Sequence, residues 1–199
     1  MKRLTRRDAV AAMVAAAGTA VASFAGGGSA EAGTVLPPTA EALPTFLRKC
    51  IRCFRCGEVC TAGCIAFHPP WAGELAGSPY IEPRVAGCNT CMRCTNVCPT
   101  GALTPTHEDD RLEQVDMGFA LVDEQLCLSH QGRVCGVCHD ACPFPGDAIA
   151  LLPQAKPEVL DACVGCGRCE ERCPQAPSAI RVFTADPGRR WAGPRRERR

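Results

Sequence analysis

Apolar residues along this chain come in short runs, each bounded by Gly, Pro or Asp. Gly118-Phe-Ala-Leu-Val-Asp, Ile149 to Leu152, Pro157-Glu-Val-Leu-Asp and Ile180 to Phe183 are the clearest of these. Their aliphatic and β-branched residues predict short strands. Two of the runs precede, and two follow, a cysteine-rich stretch, so the predicted order is strand, loop, short helix, strand, repeated along the chain. The expected fold class is α+β, built from short strands and short helices.

One apolar run is longer. Ala9 to Ala25 follows Met1-Lys-Arg-Leu-Thr-Arg-Arg-Asp and precedes Gly26-Gly-Gly and Ala30-Glu31-Ala32. A basic start, a run of small apolar residues and a small-residue cut site predict an export signal over residues 1–32, cleaved after Ala32. The run is rich in Ala and Gly rather than Leu and Ile, which argues against a permanent membrane anchor. Arg6-Arg7 after Thr5 resembles a twin-arginine signal, although Ala9 and Val10 stand where a bulkier apolar pair is usual. That route carries folded proteins, so cofactors could be inserted in the reducing cytoplasm before export.

Pro37, Pro38 and Pro44 mark residues 33–49 as a linker, and the polar, acidic stretch 107–117 reads as a second one. They delimit two expected regions, 50–106 and 118–185, followed by a basic tail at 186–199. Charge excludes one class of partner. After cleavage the chain carries 18 basic and 19 acidic residues, which does not suit a nucleic-acid binder. The arginines of the tail read as a solvated end, with peripheral membrane association as the alternative.

Cysteine changes the picture most. There are 17 in 199 residues, while only 5% of the chain is aromatic, so an ordinary hydrophobic core is thin. Sixteen of them fall into four units: Cys50, Cys53, Cys56, Cys60; Cys88, Cys91, Cys94, Cys98; Cys127, Cys135, Cys138, Cys142; and Cys163, Cys166, Cys169, Cys173. Three units share the spacing C-x2-C-x2-C-x3-C, and the third differs by a longer gap after Cys127. The last three end in Cys-Pro and continue with Gly101-Ala102-Leu103, Asp147-Ala148-Ile149 and Ser178-Ala179-Ile180. This is the bacterial ferredoxin pattern, in which three close thiolates wrap one [4Fe-4S] cubane and the fourth reaches the other cluster of a pair. The expectation is tandem bacterial-ferredoxin-like modules holding four [4Fe-4S] clusters on these sixteen cysteines.

Competing uses of the cysteines fit the spacing less well. Zinc sites show two separated C-x2-C knuckles, and disulfides have no need of a repeated fourfold period. Cys135-Gly-Val-Cys138-His139 matches a c-type haem attachment motif, but both cysteines are required by the repeat, which Cys142-Pro143 completes. Cys64, the seventeenth, lies four residues after Cys60 as Ala102 does after Cys98, so it reads as a small buried residue. Because Thr61 follows Cys60 where Pro is usual, Cys64 would replace Cys60 as a ligand if that loop were re-registered. His68, His107 and His130 read as loop histidines, and Trp71 and Tyr80 are expected to pack against the cluster loops.

The four units, the Arg-Arg signal, the long third gap, and Cys50-Ile-Arg-Cys, Gly77-Ser-Pro-Tyr, Gly118-Phe-Ala-Leu-Val-Asp and Cys163-Val-Gly-Cys-Gly-Arg-Cys together make the chain resemble the NapG/MauM family of ferredoxin-type proteins, from about residue 34 to residue 183. The resemblance implies a periplasmic protein with four clusters beside a membrane-bound quinol-oxidising iron-sulfur partner, passing electrons towards a periplasmic reductase or a c-type cytochrome. It carries the cluster ligands onto the sixteen cysteines above. Departures from the family pattern are Thr61, a compact second unit and a short arginine-rich C-terminus.

The chain shows no nucleophile with its base, no phosphate-binding loop and no dinucleotide fingerprint, so electron transfer is expected and catalysis by this chain alone is not. Arg52, Arg55, Arg93 and Arg168 lie where they could tune cluster potentials. Two alternatives remain: an iron-sulfur subunit of a catalytic oxidoreductase, and a zinc or disulfide maturation protein. Pairing is open too, as units one with two and three with four, or as two with three and one with four.

Overall fold

The computed structural model describes residues 35–184. The export signal at 1–32, the start of the first linker and the basic tail at 186–199 lie outside the described residues. Among the described residues no helix is long and apolar enough to cross a membrane.

The helices are α1 (Leu43–Lys49), α2 (Arg55–Glu58), α3 (Arg93–Asn96), α4 (Arg111–Gln114), α5 (Val137–Asp140) and α6 (Arg168–Arg172). The strands are β1 (Ile65–Phe67), β2 (Pro79–Ile81), β3 (Phe119–Val122), β4 (Ile149–Leu152), β5 (Lys156–Val159) and β6 (Ile180–Phe183). Both the four late strands and the shortness of every element agree with the apolar runs of the sequence. Helices this short are marginal alone and depend on tertiary packing.

Among the described residues the three strand pairs are antiparallel. β4 and β5 form a hairpin, with Ile149 opposite Val159, between the third and fourth cysteine units. β3 and β6, which flank the same two units, pair with Phe119 opposite Phe183. The first half repeats the plan in reduced form: β1 and β2 pair between units one and two, and a single bridge, Ala40 to Leu103, joins the segments that flank them.

Both expected linkers belong to the folded body. Pro44 lies in the first turn of α1, where its fixed φ suits a helix start, and the helix buries Phe46 to 1% exposure. Val35 bridges Ile81. The 107–117 stretch contains α4, buries Val115 and Met117, and ties the Met117 N–H to the Val164 carbonyl at 3.0 Å. Prolines and acidic residues therefore marked turns and a short helix here rather than chain outside the fold.

The two halves share one core. Ile81, Cys88 and Met92 from the first half pack with Val164, Cys166 and Ile180 from the second. Arg84 crosses between them, donating to the carbonyls of Glu170, Cys173 and Gln175 at 2.9, 3.0 and 2.9 Å. A second, smaller cluster gathers Phe46, Cys94, Ala102 and Leu103.

Candidate metal centres

The four cysteine units share one backbone device. The residue after each second cysteine, Phe54, Met92, Gly136 or Gly167, is left-handed, with φ of 62, 56, 76 and 82°. It starts the short helix that carries the third cysteine: Cys56 in α2, Cys94 in α3, Cys138 in α5 and Cys169 in α6. The residue before the second cysteine is also left-handed in units one, two and four, at Arg52, Thr90 and Gly165. Such reversals curl a short loop so that its N–H groups face inward. At Gly165 glycine is required twice, because φ is +68° and a Cβ would lie 2.5–2.7 Å from the backbone of Gly118.

The loops bring the cysteines together in sets that cross between units. One cavity, here site A, is lined by Cys50, Cys53 and Cys56 of unit one with Cys98 of unit two. Site C is lined by Cys163, Cys166 and Cys169 of unit four with Cys142 of unit three. Site D is lined by Cys127, Cys135 and Cys138 of unit three with Cys173 of unit four. The remaining set, site B, has Cys94 within electrostatic reach of Cys88, Cys91 and Cys60. Three thiols from one unit and a fourth from its partner recur in each, with units one and two, and three and four, as partners.

The sets adjoin one another in the order A, B, C, D. Cys94 of site B is also a neighbour of Cys56 in site A. The Cys88 N–H of site B donates to the Cys166 carbonyl of site C at 2.7 Å. Cys169 of site C neighbours Cys138 of site D.

The residues fit iron-sulfur cubanes. Among the described residues no cysteine forms a disulfide, and several accept backbone N–H bonds, including Thr90 to Cys88 at 3.3 Å, Leu103 to Cys98 at 3.5 Å and Ala179 to Cys173 at 3.4 Å. Such donors stabilise an anionic centre. Among the described residues no group of three or more His, Cys, Asp or Glu converges on a point suited to one metal ion. A tetrahedral zinc needs that convergence, with Zn–S near ~2.3 Å, whereas a cubane spreads its four thiolates round a larger body.

Burial pushes the thiols of Cys56 and Cys138 up to about 11, and those of Cys94, Cys166 and Cys169 further up for the same reason. Buried thiolates here need positive metal to offset the loss of water. Burial also works against ionisation of Cys98 and Cys173, yet hydrogen bonds from Leu103 and Thr100, and from Ser178, Gln175 and Ala179, hold both below the usual thiol range.

Cys64 is buried, as its alignment with Ala102 implies, at 4% exposure. The alignment alone did not reveal that its Sγ lies 3.6 Å from Cys60 Sγ. The Cys60 contact, with Cys88 nearby, pushes the Cys64 thiol up and holds Cys60 and Cys88 down. Trp71 does not pack against a cluster loop: it is 85% exposed, because the turn carrying it projects before β2. Tyr80 instead stacks on His68 at 4.3 Å. His139, from the haem-like motif, faces Asp140 at 3.2 Å, and Cys138 beside it lines site D.

Comparison with known proteins places the chain in a family. Residues 49–102 match the 4Fe-4S dicluster domain family. Over 96% of its length the chain is 35% identical to the methylamine utilization ferredoxin-type protein MauM of Paracoccus denitrificans, covering 95% of that protein. A Methylobacillus flagellatus MauM is 37% identical over 94% of the chain and 83% of the relative. The ferredoxin-type protein NapG of Escherichia coli is 34% identical over 74% of the chain and 69% of the relative. The chain belongs to the MauM/NapG family of ferredoxin-type proteins. As a member it is an iron-sulfur electron carrier, and the dicluster match covers the units that build sites A and B.

Proposed function

We propose that this MauM/NapG-type chain is an exported, periplasmic carrier with four [4Fe-4S] clusters, relaying electrons from a membrane-bound quinol-oxidising iron-sulfur protein towards a periplasmic reductase or a c-type cytochrome. One observation carries the reading: four sets of thiols adjoin in a row, A to D, through the Cys56–Cys94, Cys88–Cys166 and Cys138–Cys169 neighbourhoods. Each set consists of three thiols from one unit and the fourth from its partner, as in tandem two-cluster ferredoxin modules. The ligand set is Cys50, Cys53, Cys56 and Cys98 for site A; Cys60, Cys88, Cys91 and Cys94 for site B; Cys142, Cys163, Cys166 and Cys169 for site C; and Cys127, Cys135, Cys138 and Cys173 for site D.

When bound, each cubane gains or loses one electron. The chain's own residues fix the spacing of the sites, donate backbone N–H bonds to the sulfurs and exclude water from the interior ones. Cys163, Cys166 and Cys169 of site C are all buried, which suits an internal relay. The end sites meet the surface: Cys53 is exposed at site A beside Ile51 and Phe54, which are 62% and 47% exposed, and Val134 next to Cys135 of site D is 83% exposed. Exposed apolar side chains beside a redox site suit transient docking of donor and acceptor. The end-to-end match to MauM, against partial coverage of NapG, favours a MauM-like electron route.

The test is iron, acid-labile sulfide, zinc and haem per chain on anaerobically purified protein, with electron paramagnetic resonance after dithionite. About sixteen iron and sixteen sulfide with interacting reduced centres is expected. Zinc without iron would overturn the reading. A stable complex with a substrate-converting subunit would move it to the subunit alternative.

A further inference from the structure

The loop after each unit's fourth cysteine follows one pattern: Gly63-Cys64-Ile65, Gly101-Ala102-Leu103, Asp147-Ala148-Ile149 and Ser178-Ala179-Ile180. The middle residue is buried each time, with Cys64 at 4%, Ala102 at 2%, Ala148 at 2% and Ala179 at 4% exposure. Gly63 and Gly101 share a left-handed backbone, with φ of 61 and 66°. In the second unit the Leu103 N–H donates to Cys98 Sγ at 3.5 Å, and Ile65 holds the matching place after Cys60.

Cys60 therefore holds the place in its loop that Cys98 holds in the next unit, three residues before a left-handed glycine, despite Thr61 in place of proline. Cys64 stands where the other units have an alanine methyl. What this position adds in the first unit is a thiol, whose Sγ lies 3.6 Å from Cys60 Sγ. Cys60 is the unit-one member of site B, so the thiol stands at the sulfur that closes that site.

Resting on the four-cluster reading above, we propose that Cys64 is not a cluster ligand but a tuning residue, its S–H donating a hydrogen bond to the Cys60 ligand sulfur of site B and raising that site's reduction potential. The step it favours adds one electron to site B and exchanges no atom. An S–H is a weak donor, but a donor to a ligand sulfur gains strength as the cluster becomes more negative, which stabilises the reduced form more than the oxidised one. No other site receives this donor from the matching position, because Ala102, Ala148 and Ala179 carry none.

The experiment compares full-length wild type, Cys64→Ala and Cys64→Ser, purified anaerobically, by iron content and by potentiometric titration followed by electron paramagnetic resonance. All three are expected to hold about sixteen iron. In Cys64→Ala one of the four midpoint potentials shifts to more negative values while three stay, and Cys64→Ser lies nearer to wild type because its hydroxyl restores a donor. Four unchanged potentials in Cys64→Ala would overturn the proposal, and so would a fall to about twelve iron, which would make Cys64 a ligand. Alanine is the residue the chain itself places in the three matching loops; if that variant fails to fold, Cys64→Val fills the space without a donor and carries the same expectation. A wild type without iron would sink the four-cluster reading itself, a result distinct from unchanged potentials in a loaded protein.

Discussion

Left-handed backbone at the cysteine loops is held by large residues in the first half and by glycine in the second. Arg52, Phe54, Thr90 and Met92 adopt positive φ without glycine, so conformation alone does not explain Gly165. Close packing does: a Cβ at Gly165 would strike the Gly118 backbone, which cannot rotate away, whereas nothing lies within 4 Å of one at Gly63. Gly165→Ala is expected to cost about 1–3 kcal/mol of overpacking on top of the backbone term, and Gly63→Ala only the backbone term of about 1–2 kcal/mol. Denaturant midpoints of the two loaded variants check this. His68 is a second residue-scale case. Its Nε2 is buried with no hydrogen-bond partner among the described residues, and burial lowers its pKa from 6.5. The unfolded chain therefore binds this proton first, so stability is complete above pH 6.5 and falls as the pH drops through the folded value. His68→Phe, which keeps an aromatic ring beside Tyr80, should flatten that acid limb in a stability–pH series.

At the scale of elements, α2, α3, α5 and α6 each contribute one thiol to a site that the helix's own unit cannot complete. α3 carries Cys94 of site B, yet the chain leaving it delivers Cys98 to site A. This crossing makes a specific prediction. Cys98→Ser should disturb the centre held by Cys50, Cys53 and Cys56, leaving the signal of the centre around Cys88, Cys91 and Cys94 in place, and about twelve iron should remain. Mössbauer and electron paramagnetic resonance spectra of the variant decide it; loss of the Cys88–Cys94 centre instead would refute the crossing. α1 supports the same site from outside, since Phe46 is buried against Cys94, Ala102 and Leu103.

For the whole molecule, continuity between the halves is what turns four sites into one path. Besides the shared core, polar contacts near the cysteines carry that continuity: the Cys88 N–H to Cys166 carbonyl bond, the Met117 N–H to Val164 carbonyl bond, the Gly87 N–H to Glu171 Oε2 bond, and Arg84 with its three carbonyl acceptors. Hydrogen bonds from a charged donor contribute about 1.5–3 kcal/mol. Arg84→Ala should lower stability on that scale without loss of iron, and should weaken the spin coupling between sites B and C if the halves loosen. Unfolding curves and reduced-state spectra of the variant measure both effects.

Chain chemistry is local, and for that reason much of it is legible in the order of residues. Cysteine spacing within eleven residues at Cys163 to Cys173, short strand runs such as Ile180 to Phe183, and the match of Cys64 to Ala102 can all be read without coordinates, since each depends on neighbours in sequence. Partnership between units cannot be so read. Both ways of pairing the four units satisfy the same spacing, and only the folded chain brings Cys98 to Cys50, Cys53 and Cys56, and Cys142 to Cys163, Cys166 and Cys169. Pro37, Pro38, Pro44 and the acidic stretch 107–117 misled for a similar reason, because proline and charge describe local conformation and not whether Phe46 or Met117 beside them is buried. The Cys64 thiol shows the division within one residue: the match to Ala102 marked the position as small and buried, while tertiary structure decided that its sulfur lies 3.6 Å from Cys60 Sγ and within electrostatic reach of Cys88, 24 residues away along the chain, which spacing does not encode.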